Sequence, residues 1–183
     1  MTLARLTILA LAAMTVPVGS AFAQGFQLPP LLMQTTAFED GGIVPAKYAG
    51  RGDNVQPGFT FSNAPDTTVS YAIILHDIDV ALGGSTNDVL HWIAWNIPVA
   101  AGGIPEGGLP DGAVQGANIR GDQQYFGPGA PPGPRYHHYV FELYALNTTL
   151  DLPPTASRDE VFAAMQGKVV AKAAYVGRYR GSE

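Results

Sequence analysis

Residues His137 to Leu146 read H-H-Y-V-F-E-L-Y-A-L. In a strand, side chains alternate between faces, so this run places His137, Tyr139, Phe141, Leu143 and Ala145 on one side and His138, Val140, Glu142, Tyr144 and Leu146 on the other. The first set is the more apolar, so the spacing predicts a β-strand that turns His137 and Tyr139 toward an interior and His138 toward solvent. Immediately upstream, Tyr125 to Tyr136 reads Y-F-G-P-G-A-P-P-G-P-R-Y. Glycine accepts positive φ and proline fixes its own, so such a loop is stiff and lets backbone come close to a ligand. Loop and strand together spell a pocket wall. Taken alone, they also fit a surface loop running into an ordinary strand with satisfied polar tips.

Other segments support a β architecture. Val69 to Asp77 (V-S-Y-A-I-I-L-H-D) carries apolar residues at Val69, Tyr71, Ile73 and Leu75, which places Asp77 at the end of the same inward row. Leu90 to Ile97 (L-H-W-I-A-W-N-I) is apolar on both faces, as a strand covered on both sides would be. From Phe38 onward short apolar pieces alternate with Gly, Pro, Asp and Asn turn signals. Pro98 to Pro134 is too rich in Gly and Pro for regular structure, and a connection of that length is commonly functional or disordered. Ser157 to Glu160 spells a capping box ahead of V-F-A-A-M-Q-G-K-V-V-A-K-A-A. There Val161, Met165, Val169 and Ala173 recur every four residues, which predicts one helix continuing through Gly167. Short strands followed by a late helix predict a mainly β, antiparallel Greek-key-type sandwich with a C-terminal helix.

The first 23 residues combine Arg5, an apolar run from Leu6 to about Val18 and the small-residue site Ala21-Phe22-Ala23, the pattern of a signal peptide. Cleavage after Ala23 predicts a mature chain that starts at Gln24, with 24–37 a loose N-terminal arm and 38–183 a single domain. Export makes a periplasmic or secreted location the expectation, and no other segment is apolar enough to span a membrane. The chain has 10 Lys and Arg against 15 Asp and Glu, a net charge of −5, and an acidic surface argues against nucleic acid. Having no cysteine excludes disulfides, thiolate metal sites and thiol nucleophiles.

All four histidines, His76, His91, His137 and His138, fall at or near strand ends, in the company of Asp77, Asp79 and Tyr139. Adjacent His137 and His138 point to opposite faces and cannot share an ion, so no metal and no cofactor are expected. No G-x-S-x-G elbow is present, and Ser85 reads as a loop hydroxyl rather than a nucleophile. Imidazole, phenol and loop amides are all donors, a set suited to a phosphate-type anion, with an aspartate orienting an imidazole.

Three segments carry a family resemblance: D-I-D-V-A at Asp77 to Ala81, L-H-W-I-A-W-N-I-P at Leu90 to Pro98, and G-P-G-A-P-P-G-P-R-Y-H-H-Y-V-F-E-L-Y-A-L-N at Gly127 to Asn147. In order and spacing these resemble the signatures of the phosphatidylethanolamine-binding protein family, especially its bacterial Raf-kinase-inhibitor-like branch. The likeness runs from about Phe38 to Tyr179. It implies a β-sandwich and an anion pocket formed by Asp77, His91, His137 and Tyr139, with Gly127, Pro128, Pro131 and Pro132 in the adjoining loop. Ile78 and Ala81 stand where the family has prolines, and His138 where it has arginine. The expectation is a binding protein, not an enzyme, that takes a small anionic ligand or phospholipid head group. The alternative is an inhibitor or scaffold acting on a kinase or protease through its surface, with a hydrolase of phosphorylated or ester substrates a third reading. A homodimer is compatible with all of these.

Overall fold

The computed structural model describes residues 30–182. The signal-peptide expectation and residues 24–29 of the predicted arm lie outside this range. Among the described residues, nine strands form two sheets. The smaller contains β1 (Leu32–Gln34), β3 (Phe59–Ser62) and β6 (Gly103–Ile104), in the order β1-β3-β6. The larger contains β2 (Gly42–Ile43), β4 (Ser70–Asp77), β5 (Val89–Pro98), β7 (Val114–Gln115), β8 (His137–Leu146) and β9 (Val169–Tyr179), in the order β2-β9-β8-β4-β5-β7. The one α-helix among the described residues, α1 (Arg158–Met165), packs on the outer face of the larger sheet.

Alternation of side chains explains the layers. Tyr71, Ile73 and Leu75 of β4 and Tyr139, Phe141, Leu143 and Ala145 of β8 face the smaller sheet, where they meet Met33, Phe59, Phe61 and Ile104. Their neighbours Ala72, Ile74, Tyr144 and Leu146 face the other way and pack with Leu150, Val161 and Met165. The central strands are therefore buried on both faces, which accounts for their nearly continuous apolar text. All strand pairs are antiparallel except the two-residue pairing of β2 with β9, which is parallel, so the described residues form the antiparallel sandwich with a C-terminal helix that was expected.

Two expectations are corrected. The described part of the arm is not loose: β1 pairs with β3, and Leu31 and Met33 are buried. The capping box is real, with the Ser157 hydroxyl accepting from the Glu160 amide and the Glu160 carboxylate accepting from the Ser157 amide. The helix nevertheless stops at Met165. Gly167 takes φ +73°, a left-handed conformation that ends helices, and Val169 and Ala173 belong to β9 instead. A four-residue apolar spacing is also an even spacing, so it fitted one face of a strand equally well.

Candidate functional site

Three adjacent strands bring the predicted residues together. Asp77 ends β4 and lies directly opposite Tyr139 of β8, while His137 opens β8 on the same face. His91 comes from β5, on the other side of β4. A straight strand would turn His91 and Trp92 to opposite faces, but the pairing skips from Leu75–Trp92 to His76–Leu90 and leaves His91 with no residue opposite it. This bulge lets His91 share the sandwich side with Trp92. The His91 ring lies edge-on to Tyr139, with centroids 5.1 Å apart.

The hydrogen bonds fix the polarity of each group. Asp77 is buried, and its Oδ2 lies 2.7 Å from His137 Nδ1 while Oδ1 accepts from the Asp79 amide. A carboxylate can only accept, so His137 carries its proton on Nδ1 and turns Nε2 away from Asp77. His137 remains 19% exposed at its side chain against 4% for Asp77, which places the imidazole between core and solvent. His91 Nδ1 is 2.9 Å from the carbonyl oxygen of Phe126, so that nitrogen is also the protonated one, and in the neutral ring Nε2 presents a lone pair. Burial holds the His91 pKa below its ordinary value, outweighing the opposing pull of the Phe126 carbonyl and Asp77. The Tyr139 hydroxyl accepts from the amides of Gly129 (3.2 Å) and Ala130 (2.9 Å). Burial, and then the neighbouring Asp77 carboxylate, push its pKa well above the ordinary range, so the phenol keeps its proton.

The loop behaves differently from its reading as a source of free amides. Gly127 donates its amide to Asn54 Oδ1 at 2.8 Å, and those of Gly129 and Ala130 are taken by Tyr139. Gly127 and Pro128 are buried. A Cβ at Gly127 would stand 2.1 Å from the Tyr48 carbonyl oxygen, so only glycine lets these backbones approach. Pro131 and Pro132 are exposed, and Pro132 bridges to Gly181. The loop thus braces the site, whose partly exposed imidazole is that of His137, while His91 is buried behind it. His138 faces solvent as expected, with its amide and Nδ1 both on Asp79 Oδ2 at 2.6 and 2.9 Å. Burial would raise the Asp79 pKa, but the bonds from His138 and the charge of Arg135 bring it below the ordinary carboxylate value.

Two residues next to His91 escaped the sequence reading. Phe126 stacks on the His91 ring at 4.8 Å with the planes 13° apart, and the Arg120 guanidinium lies 3.6 Å from the Phe126 centroid. Phe126 falls in the Gly/Pro stretch already read as a pocket wall but was not singled out there, Arg120 sits in no recognisable motif, and the 37-residue connection offered no periodicity to place either. No group of three or more potential metal ligands occurs among the described residues.

A family model for phosphatidylethanolamine-binding protein matches residues 34–180. The chain belongs to the phosphatidylethanolamine-binding protein family. A UPF0098 protein of Methanothermobacter thermautotrophicus is 40% identical over 153 residues, which cover 81% of this chain and 97% of the relative. A Mycobacterium tuberculosis protein named as a lipoprotein, LppC, is 35% identical over 152 residues, covering 83% and 73%. Among solved structures, the phosphatidylethanolamine-binding protein homologue CT736 of Chlamydia trachomatis superposes with a TM-score of 0.76 at 29% identity, over 84% of this chain and 99% of that one. Family membership fits a binding protein, and no helix of the described residues is long and apolar enough to cross a membrane.

Proposed function

We propose that this family member is an exported binding protein that holds a phosphate-type group, of a small anion or a phospholipid head group, at Asp77, His91, His137 and Tyr139, without catalysing a reaction. The observation that carries this reading is the 2.7 Å pair between Asp77 and His137. It fixes an imidazole so that the opposite nitrogen is directed away from the carboxylate, beside a second imidazole and a proton-bearing phenol. Gly127, Pro128, Pro131 and Pro132 hold or border the site, and binding energy comes from the side chains rather than from loop amides. Hydrogen bonds to a charged group contribute roughly 1.5–3 kcal/mol each, so two or three of them, less the cost of association, give millimolar to micromolar affinity for a bare head group.

The N-terminal leader pattern supports export, and the lipoprotein name of the Mycobacterium relative is in keeping with it. Titration with inorganic phosphate, followed by NMR of the histidine side chains, tests the site. Shifts at His91 and His137 with little change at His138 are expected, and His137→Ala is expected to lose binding that His138→Ala retains. The reverse pattern would overturn the assignment. Intact-mass analysis of the protein recovered from its native compartment tests export, with Gln24 expected as the first residue.

A further inference from the structure

Away from the histidines a cleft of about 270 Å³ opens beside Gln115 of β7. Its polar lining is one carboxylate, Asp53, and four carboxamides, Asn54, Gln56, Gln115 and Gln124, and among the described residues no Lys, Arg or His lines it. Asn54 is spent on the wall: its Nδ2 donates to the Tyr125 carbonyl and its Oδ1 accepts from the Gly127 amide. Gln56 and Gln115 are each held at one end of the amide only.

The two are fixed in opposite senses. Gln56 is buried, and its Nε2 donates to the carbonyls of Pro57 and Pro105, so the free end is the acceptor Oε1. The fully buried Trp92 donates its indole N–H to Gln115 Oε1 at 2.7 Å, so the free end there is the donor Nε2. Carbonyls take only a donor and an indole N–H takes only an acceptor, so neither amide can be reversed. Among the described residues neither free atom has a protein partner, and neither is sealed from solvent. The Gly107 amide also donates to the Gln56 main-chain carbonyl at 2.9 Å, which ties the Gly107-Gly108 side of the cleft to the same residue. A preset donor and a preset acceptor therefore share one small cleft with the exposed Asp53, which makes no ion pair among the described residues.

We infer that this cleft is a second binding site, for a single neutral sugar ring. A hydroxyl donates and accepts at once, so neighbouring hydroxyls satisfy Gln115 Nε2 as acceptors while donating to Gln56 Oε1 or the Asp53 carboxylate. An anion would meet that carboxylate and the Gln56 oxygen with no cation to offset them. An ammonium group has only donors to present to Gln115 Nε2. Val55 and Tyr125 add apolar lining, as small-molecule clefts with a few fixed polar groups usually have. The volume falls just under the roughly 300–1,000 Å³ of pockets for drug-sized ligands, which suits one ring. Because both amide ends are held in place before binding, little side-chain ordering is left to oppose it. None of Asp77, His91, His137 and Tyr139 lines the cleft, so the inference does not depend on the phosphate reading.

The test is NMR titration of the nitrogen-15-labelled protein with D-glucose, D-galactose and N-acetylglucosamine, reading the side-chain amides of Gln56 and Gln115. At least one sugar is expected to shift both with millimolar affinity, leaving His91 and His137 unmoved, whereas ethanolamine and inorganic phosphate should not shift the two amides. Gln115→Glu keeps the acceptor for Trp92 and removes the free donor, so it should weaken the sugar about tenfold. An added Cβ at Gly108 meets no atom within 4 Å, so Gly108→Leu places its side chain in open space at the cleft and should abolish sugar binding with the melting temperature unchanged. The inference is wrong if no sugar shifts the two amides at about 100 mM, or if ethanolamine or phosphate shifts them at lower concentration than any sugar. It is equally wrong if folded Gly108→Leu and Gln115→Glu proteins bind the sugar as the native protein does.

Discussion

His76 and Asp77 are consecutive at the end of β4, yet Asp77 bonds His137 on the sandwich side while His76 bonds Asp88 on the side of α1. His76 Nδ1 lies 2.5 Å from Asp88 Oδ2, and its Nε2 lies 3.8 Å from Glu142. Arg158, the first residue of α1, also pairs with Asp88. A single strand therefore supplies one carboxylate to the candidate site and one imidazole to a polar brace that ties the helix to the sheet. The two clusters are separated by the thickness of the sheet, so each can be altered without touching the other.

The brace predicts a stability effect without a binding effect. Burial would raise the Asp88 pKa, but Arg158 and His76 hold it below the ordinary carboxylate value. Its stabilising contribution is present above the unfolded-state pKa and lost as pH falls through the folded one. Arg158→Ala should cost about 1–3 kcal/mol at neutral pH, since the pair is only partly exposed, and should leave phosphate affinity intact. Urea denaturation and phosphate titration of the variant check both halves.

His91 predicts acid sensitivity of the free protein and its relief by ligand. Its pKa is lowered by folding from an ordinary 6.5, so the folded state binds fewer protons than the unfolded state in that region. Stability should fall as pH drops through 6.5 toward the folded value, and His91→Gln should flatten this part of the profile. A bound anion favours the protonated ring, so NMR titration should give a higher His91 pKa in the complex than in the free protein.

Removing the Tyr139 hydroxyl leaves the Gly129 and Ala130 amides without their acceptor. Tyr139→Phe is expected to cost about 1–3 kcal/mol and to speed hydrogen exchange at those two amides specifically.

Gly167 separates two structural readings by sign. In a continuous helix, Gly167→Ala would stabilise by about 1 kcal/mol. At φ +73°, with no atom within 4 Å of an added Cβ, the substitution meets only backbone strain and should destabilise by about 1–2 kcal/mol. Thermal denaturation of the single variant decides between them.

How much of this was legible follows from which rules were local. The bounds of β8 and the inward turn of His137 and Tyr139 could be read directly, because a strand with one face in the sandwich obeys period two along its length. The approach of Asp77 followed for the same reason. His91 was reached by family resemblance, whereas its inward turn depends on a bulge, a property of the pairing between β4 and β5 that neither strand spells alone. The end of α1 turned on one backbone angle at Gly167, which four-residue spacing cannot reveal. Arg120 was invisible because its place is set by Asn118 bonds and by stacking on Phe126, contacts within an aperiodic loop.

The location of β9 has a consequence for how the chain is made. As the last strand, it lies between β2 and β8, and Tyr175 within it donates its hydroxyl hydrogen bond to the carbonyl of Phe38, 137 positions earlier. Before Val169 to Tyr179 leaves the ribosome, β8 has an open edge along His137 to Leu146 and β2 has no partner. The larger sheet therefore cannot be completed until Val169 to Tyr179 is in place, and a chain cut before Val169 would carry the candidate residues on a strand free to pair with a neighbouring copy.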